Sequence, residues 1–168
     1  MTTPRQNTIA QAGEMEGVGL HTGGAVRLRL LPAPVNTGIV FRRVDLEGAP
    51  EVPAHVSNVV STDRGTVLGA GEARVHTVEH LLAAVIGHAI DNLVVEMDGA
   101  EPPAGDGSAL PFFQALARCG VQEQDAPAKV ITVSESFSLT KGVASYVVAP
   151  ADSYRISTTI EFDHALIG

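Results

Sequence analysis

His76-Thr77-Val78-Glu79-His80-Leu81-Leu82-Ala83-Ala84-Val85-Ile86-Gly87-His88-Ala89-Ile90-Asp91-Asn92, running on into Leu93-Val94-Val95-Glu96-Met97, is the stretch whose reading decides the fold. Leu81, Leu82, Val85 and Ile86 recur at helical spacing, which predicts a helix from about Thr77 to Ile86. Thr77 is a suitable N-cap and Gly87 a suitable C′ stop. Asn92 to Met97 then reads as a strand ended by Asp98-Gly99. A helix that leads through a short connection into a strand places the chain among mixed folds.

Outward from this stretch the pattern is the same. Between Ala25 and Leu31, Val26, Leu28 and Leu30 alternate with Arg27 and Arg29, the period-two signature of a half-buried strand, and Pro32 and Pro34 end it. Thr37 to Arg43 reads as the returning strand, and Ser61 to Leu68 as a weaker one interrupted at Gly65. Ser108 to Cys119 reads as a second helix with Gly120 beyond it. Strands and helices interspersed with short connections predict an α+β or α/β fold, with no solenoid repeat.

Val121 to Ala128 (VQEQDAPA) is polar and contains Pro127, as a linker between domains does. Beyond it, Val130 to Leu139, Ala144 to Ala149 and Tyr154 to Phe162 read as a three-stranded meander with turns at Lys141-Gly142 and Ala151-Asp152. The expected division is a first domain over 1–126 and the opening of a second over 127–168. Three strands with no helix leave an apolar face open, so the expectation is that the second domain is cut short at Gly168.

Composition narrows the function. The chain has 168 residues, 45% apolar and 18% charged, which is globular usage. Eleven Lys and Arg against nineteen Asp and Glu give a net charge of −8, the wrong sign for gripping a phosphate backbone, so nucleic acid is not an expected partner. A small anion is compatible with local convergence of Arg side chains. The single cysteine, Cys119, forms no internal disulfide, and any metal must be held by His and carboxylates. The first residues lack the apolar run of a secretory leader and no stretch is long and apolar enough to span a bilayer, so the expected location is cytoplasmic.

Three segments carry candidate chemistry. In His76-Thr77-Val78-Glu79-His80 a continuous helix would set two imidazoles four residues apart on one face, with a carboxylate beside the second. That is metal-site spacing, the H-x-x-E-H pattern, although the same residues also suit a polar helix face. The positive end of a helix favours ionised Glu79 and neutral His80. Gly17 to Gly23 (GVGLHTG) sets three glycines around His21, a backbone able to turn tightly or to approach a ligand. In Pro102 to Phe112 (PPAGDGSALPF), Asp106 and Ser108 read first as turn and N-cap residues.

Taken together, GVGLHTG, TVEHLLAAVIGHAIDN and the Pro102–Phe112 segment, in this order and spacing, resemble the UDP-3-O-acyl-N-acetylglucosamine deacetylases, the zinc enzymes of lipid A biosynthesis. RLRLLPAPVNTGIVFRRVDL between them is similar to the same family, and the resemblance runs from about Gln6 to Gly168. It implies an α+β fold, a two-layer sheet-and-helix sandwich followed by the opening strands of a second, similar domain, with the active site between the two. It implies Glu79 as general base and His80 as a Zn2+ ligand, and leaves His76 outside the matched motif. His21 is implied near the site. Glu161, Phe162 and Asp163, in Ile160-Glu161-Phe162-Asp163-His164, resemble a segment that approaches the UDP moiety, although Phe162 suits an ordinary core strand equally. The implied partners are a UDP-linked acylated amino sugar and a missing C-terminal domain that holds the remaining ligands and the general acid. Peripheral membrane contact through the lipid substrate is compatible with this.

Two other readings stand beside it. One is a complete non-catalytic domain that binds a nucleotide sugar or a protein. The other is a small metallopeptidase on His76, Glu79 and His80, which needs a third ligand from His21, His55, His88, His164 or a carboxylate.

Overall fold

The structure is a computed structural model and describes residues 4–163 and 166. The chain divides into two compact units, Met1–Ala128 and Lys129–Gly168. In the first unit the elements run β1 (Arg5–Ile9), β2 (Gly13–Val18), β3 (Ala25–Pro32), β4 (Ile39–Arg43), β5 (Glu51–Pro53), β6 (Val59–Ser61), β7 (Val67–Ala70), β8 (Ala73–Val75), α1 (Glu79–Gly87), β9 (Leu93–Met97), α2 (Leu110–Cys119) and β10 (Val121–Pro127). Among the described residues no helix is long and apolar enough to cross a membrane.

A five-stranded sheet in the order β2-β3-β9-β4-β5 forms one layer. Its inner face follows from alternation: Val26, Leu28 and Leu30 are buried while Arg27 and Arg29 are exposed. Leu28 pairs with Met97 and Leu30 with Val95, which puts these four on one face. Leu81, Ala84 and Val85 of α1 and Phe112, Ala115 and Leu116 of α2 join the same apolar core, so the unit is a sheet layered on two helices, as expected. The outer face carries a cross-strand ladder of ions. Arg29 bridges Glu14 at 3.2 Å and Glu96 at 2.8 Å, and Arg42 bridges Glu96 at 2.9 Å and Glu51 at 2.7 Å.

The sheet corrects one expectation. β4 does not return alongside β3, because β9 lies between them, antiparallel to β3 and parallel to β4. Leu93, Val94, Val95 and Met97 of β9 are all buried, and this strand takes the central place, where the most continuous hydrophobic strand is best covered. The weak strand expected over 61–68 is two strands, β6 and β7, separated by the loop 62–66.

A second correction concerns Val121 to Ala128, which is not a linker. It forms β10, antiparallel to β1, with Ile9 opposite Val121 and Thr8 opposite Gln122. One of its polar residues, Gln124, enters an internal amide network. Gln124 accepts from the buried Asn92 side chain at 2.7 Å and donates to the Ala33 carbonyl at 2.8 Å. The Asn92 side chain also donates to Gln6 at 2.8 Å, and its Oδ1 accepts from the Gly38 amide at 2.9 Å. Buried amides persist when every donor and acceptor is matched, and this network ties the β1-β10 pair to the main sheet.

Among its described residues the second unit contains one hairpin, β11 (Phe137–Lys141) and β12 (Ala144–Val148), paired from Phe137 opposite Val148 to Lys141 opposite Ala144, with Gly142 at φ +60° in the turn. The expected third strand over Tyr154 to Phe162 forms no ladder. Alternation prepares a strand, but only hydrogen bonding to a partner makes one.

Candidate active site

The site is assembled from the three motif segments of the first unit, and its organiser is a residue that none of them contains. Glu101 is 1% exposed, and its carboxylate accepts five hydrogen bonds. The His21 amide donates to Oε1 at 3.2 Å and to Oε2 at 3.0 Å, and the Thr22 amide and hydroxyl donate to Oε2 at 2.9 and 3.0 Å. The Thr77 hydroxyl donates to Oε1 at 2.7 Å. Burial pushes the Glu101 carboxyl up, but these bonds outweigh it and hold it below the usual carboxylate range. The scales agree: burying a charge costs several kcal/mol, and hydrogen bonds to a charged group contribute about 1.5–3 kcal/mol each.

Close approach explains the glycines of the first motif. A Cβ on Gly19 would lie 2.6 Å from Glu101 Oε2 and 2.3 Å from Thr22 Oγ1, and one on Gly17 would lie 2.8 Å from Pro103. Gly19 bridges Pro103, and the Ala104 amide donates to the Val18 carbonyl at 2.9 Å, so the His21 loop and the Pro102 segment lie against each other.

Thr77 does not cap the helix. Its φ is +51°, outside the regions a β-branched residue favours, and α1 begins at Glu79 after Val78. The His76 amide donates to the Ala100 carbonyl at 2.8 Å, so both sides of the bend are tied to the strand exit after β9. In consequence His76 and His80 do not share a helical face, which removes the spacing argument for a paired-imidazole site. At the far end the helix runs through Gly87, and Ala89 rather than Gly87 takes the left-handed conformation, at φ +51°. His88 there stacks on Phe113 with ring centroids 4.0 Å apart.

Glu79 is the first helical residue and His80 the second. The Thr66 amide, in the loop between β6 and β7, donates to Glu79 Oε1. Partial burial pushes this carboxyl up, whereas Thr66, its own backbone N–H and the charge of His80 pull it lower, leaving it below the usual range and ionised. Beside His80 lies a cleft lined by Leu20, Thr77, His80, Pro103, Gly107 and Phe112, so all three motif segments meet at one place. Asp106 accepts from the Ser108 amide at 2.9 Å and hydroxyl at 2.7 Å, and the Ser108 hydroxyl accepts from the Leu110 amide at 3.1 Å, which is the expected turn and helix-start chemistry.

The structure thus brings His80 and Leu20 of the His21 loop to one cleft within the first unit, with Glu79 next to His80 at the helix start and the His21 loop held through its main chain. Glu161, Phe162 and Asp163 belong to the second unit, and Phe162 is exposed there rather than packed in a core. His164 lies outside the described residues. His55 accepts from the Ser57 amide at a short helical turn, Val56–Asn58. Among the described residues no group of three or more His, Cys, Asp or Glu is placed to hold a metal ion. Sequence reasoning missed Glu101. Its one signal is a lone carboxylate fixed between a strand exit and Pro102-Pro103, where the chain is stiff.

Fold and site together define an α+β sandwich domain that presents a carboxylate and an imidazole at a helix start beside a cleft. The model of the UDP-3-O-acyl N-acetylglycosamine deacetylase family matches residues 6–168, and the chain belongs to that family. It is 46% identical over 160 residues to the UDP-3-O-acyl-N-acetylglucosamine deacetylase of Cellvibrio japonicus, covering 95% of this chain and 53% of that protein. With the Myxococcus xanthus protein of the same name it shares 45% over 162 residues, 96% of this chain and 52% of the other. A bifunctional enzyme LpxC/FabZ of Chlorobaculum tepidum is 39% identical over 165 residues, 97% of this chain and 35% of that protein. The chain spans about half the length of the first two relatives.

Proposed function

We propose that this chain contributes Glu79 and His80 to a zinc-dependent hydrolysis of the N-acetyl group of UDP-3-O-acyl-N-acetylglucosamine, in lipid A biosynthesis. The observation that carries the reading is the adjacency of an ionised Glu79 and a cleft-lining His80 at the start of α1, in a chain of this family. Hydrolysis of an amide needs a group that takes a proton from water, and an ionised carboxylate fixed by the Thr66 amide serves as that base. His80 offers one imidazole to a metal. Zinc, when bound, polarises the acetamide carbonyl and makes its water more acidic.

Catalytic zinc takes about three protein ligands. The donor set among the described residues supplies one imidazole, so the metal site is completed by groups that correspond to the remaining half of the relatives' length. Glu161, Phe162 and Asp163 are assigned to the UDP end of the substrate, and His21 to the margin of the reacting centre. The two units are read as one sandwich domain and the opening of a second, in a cytoplasmic protein.

The test is a chimera in which residues 6–168 replace the matching segment of the Cellvibrio japonicus protein. It should release acetate from the UDP-sugar with zinc present, and His80→Ala should abolish turnover and lower retained zinc in elemental analysis. Undiminished turnover by the His80→Ala chimera would defeat the assignment.

A further inference from the structure

Glu101 has a place in the fold that burial alone does not explain. A carboxylate 1% exposed with only neutral donors around it is an unusual choice for a strand exit, where a neutral residue avoids the cost of burying charge. The donors it meets come from two segments far apart in sequence, the His21-Thr22 loop and the Thr77 bend. The two amides can only donate, so a side-chain amide in this position would keep its one oxygen for them and turn its NH2 toward the Thr77 hydroxyl, which would then have to accept instead of donate, with the His21 amide also facing that NH2. Thr77 is held at φ +51° two residues before Glu79 and three before His80, a backbone state that persists only where neighbours enforce it. Gly19 is pressed against the same carboxylate, so the loop cannot relax inward.

Resting on the function proposed above, we infer that Glu101 is a positioning residue, which locks the His21 loop and the Thr77 bend together and so sets the direction in which α1 starts, and with it the angle at which His80 faces the cleft and the place of Glu79 beside it. It acts through Thr77 on one side and through the His21 and Thr22 amides on the other. The role is distinct from general stability, because the two segments it joins are the ones that flank the cleft at Leu20 and His80.

The test uses Glu101→Gln, Thr77→Val and their combination, with Thr77→Ser as the conservative control. In the chimera, Glu101→Gln and Thr77→Val should each lower kcat by about 10- to 100-fold and weaken zinc retention, with KM changed little. The double variant should be no worse than the more damaging single one, since both cut the same link. Thr77→Ser should recover most of the loss of Thr77→Val. In the 168-residue chain, amide hydrogen exchange should rise at both 17–24 and 76–80 in Glu101→Gln while β3 and β9 stay protected. Wild-type kcat in folded Glu101→Gln, or additive losses in the double variant, overturns the proposal. Exchange that rises through β3 and β9 as well overturns it too, as the mark of a merely structural residue. If Glu101→Gln fails to fold, Thr77→Val carries the same prediction and the same refutation. If the wild-type chimera releases no acetate, the functional reading falls, and the exchange coupling between the two segments decides the positioning role alone.

Discussion

The starts of the two helices solve the same problem in opposite ways. Neither α1 nor α2 has a side-chain cap at its N-cap residue, Val78 or Ala109. At α2 the amide of the first helical residue, Leu110, donates to the Ser108 hydroxyl two residues before it, and Asp106 holds Ser108 in turn. At α1 the preceding chain is held from far away, by Ala100 and Glu101 and, through Glu79, by Thr66. A local start is rigid by itself and can be altered alone. A start held by distant groups couples the residues it presents to the rest of the domain, which is what a site needs when its groups must stay in register.

The comparison can be broken most strongly at Glu101. Glu101→Ala leaves two amides and two hydroxyls without an acceptor, and urea unfolding of the chain should show a loss of about 3 kcal/mol. A loss near that of an ordinary surface substitution would mean that the α1 start is also locally held.

Acid sharpens the same contrast. The Glu101 carboxyl lies below its ordinary value of 4.5 in the folded protein, so the unfolded chain binds the proton first as pH falls. Its stabilising contribution is complete above that ordinary value and disappears as pH drops through the lower folded one. The stability difference between wild type and Glu101→Gln, measured by urea midpoints, should therefore be constant from pH 7 to about 5.5 and narrow below about 4.5. A difference that widens with acid would contradict the ionised state.

The smallest effect is expected at α2. Ser108→Ala should cost about 1 kcal/mol, the usual loss of a helix-start hydroxyl, and should leave hydrogen exchange at 17–24 and 76–80 unchanged. A change in those segments would show that the two helix starts are coupled after all.

Much of the architecture was legible because it is local. Alternation at Val26, Leu28 and Leu30 can be read along one short segment, and the structure buries the same side chains; of the stripe read in the first helix, Leu81 and Val85 are buried and Leu82 partly so, whereas Ile86 is exposed. Of the candidate site, the adjacency of Glu79 and His80 is legible in the motif, and the structure sets them as the first two residues of α1, with His80 in the cleft lining. Val121 to Pro127 was misread because a polar strand looks like a linker until Gln124 finds Asn92 and Ala33. Thr77 was misread as a cap because its hydroxyl has two uses, and the nearer one lost to Glu101.

From the residues alone came the mixed class of the fold, the helix that carries Glu79 and His80, the strand that follows it, and the resemblance to the family. Tertiary structure alone decided that β9 lies between β3 and β4, that Thr77 bends rather than caps, and that Glu101 joins three segments. Periodicity records which face a residue turns toward the core. The pairing of a buried charge with its donors is set by where separate segments meet, and that depends on the whole chain being folded at once.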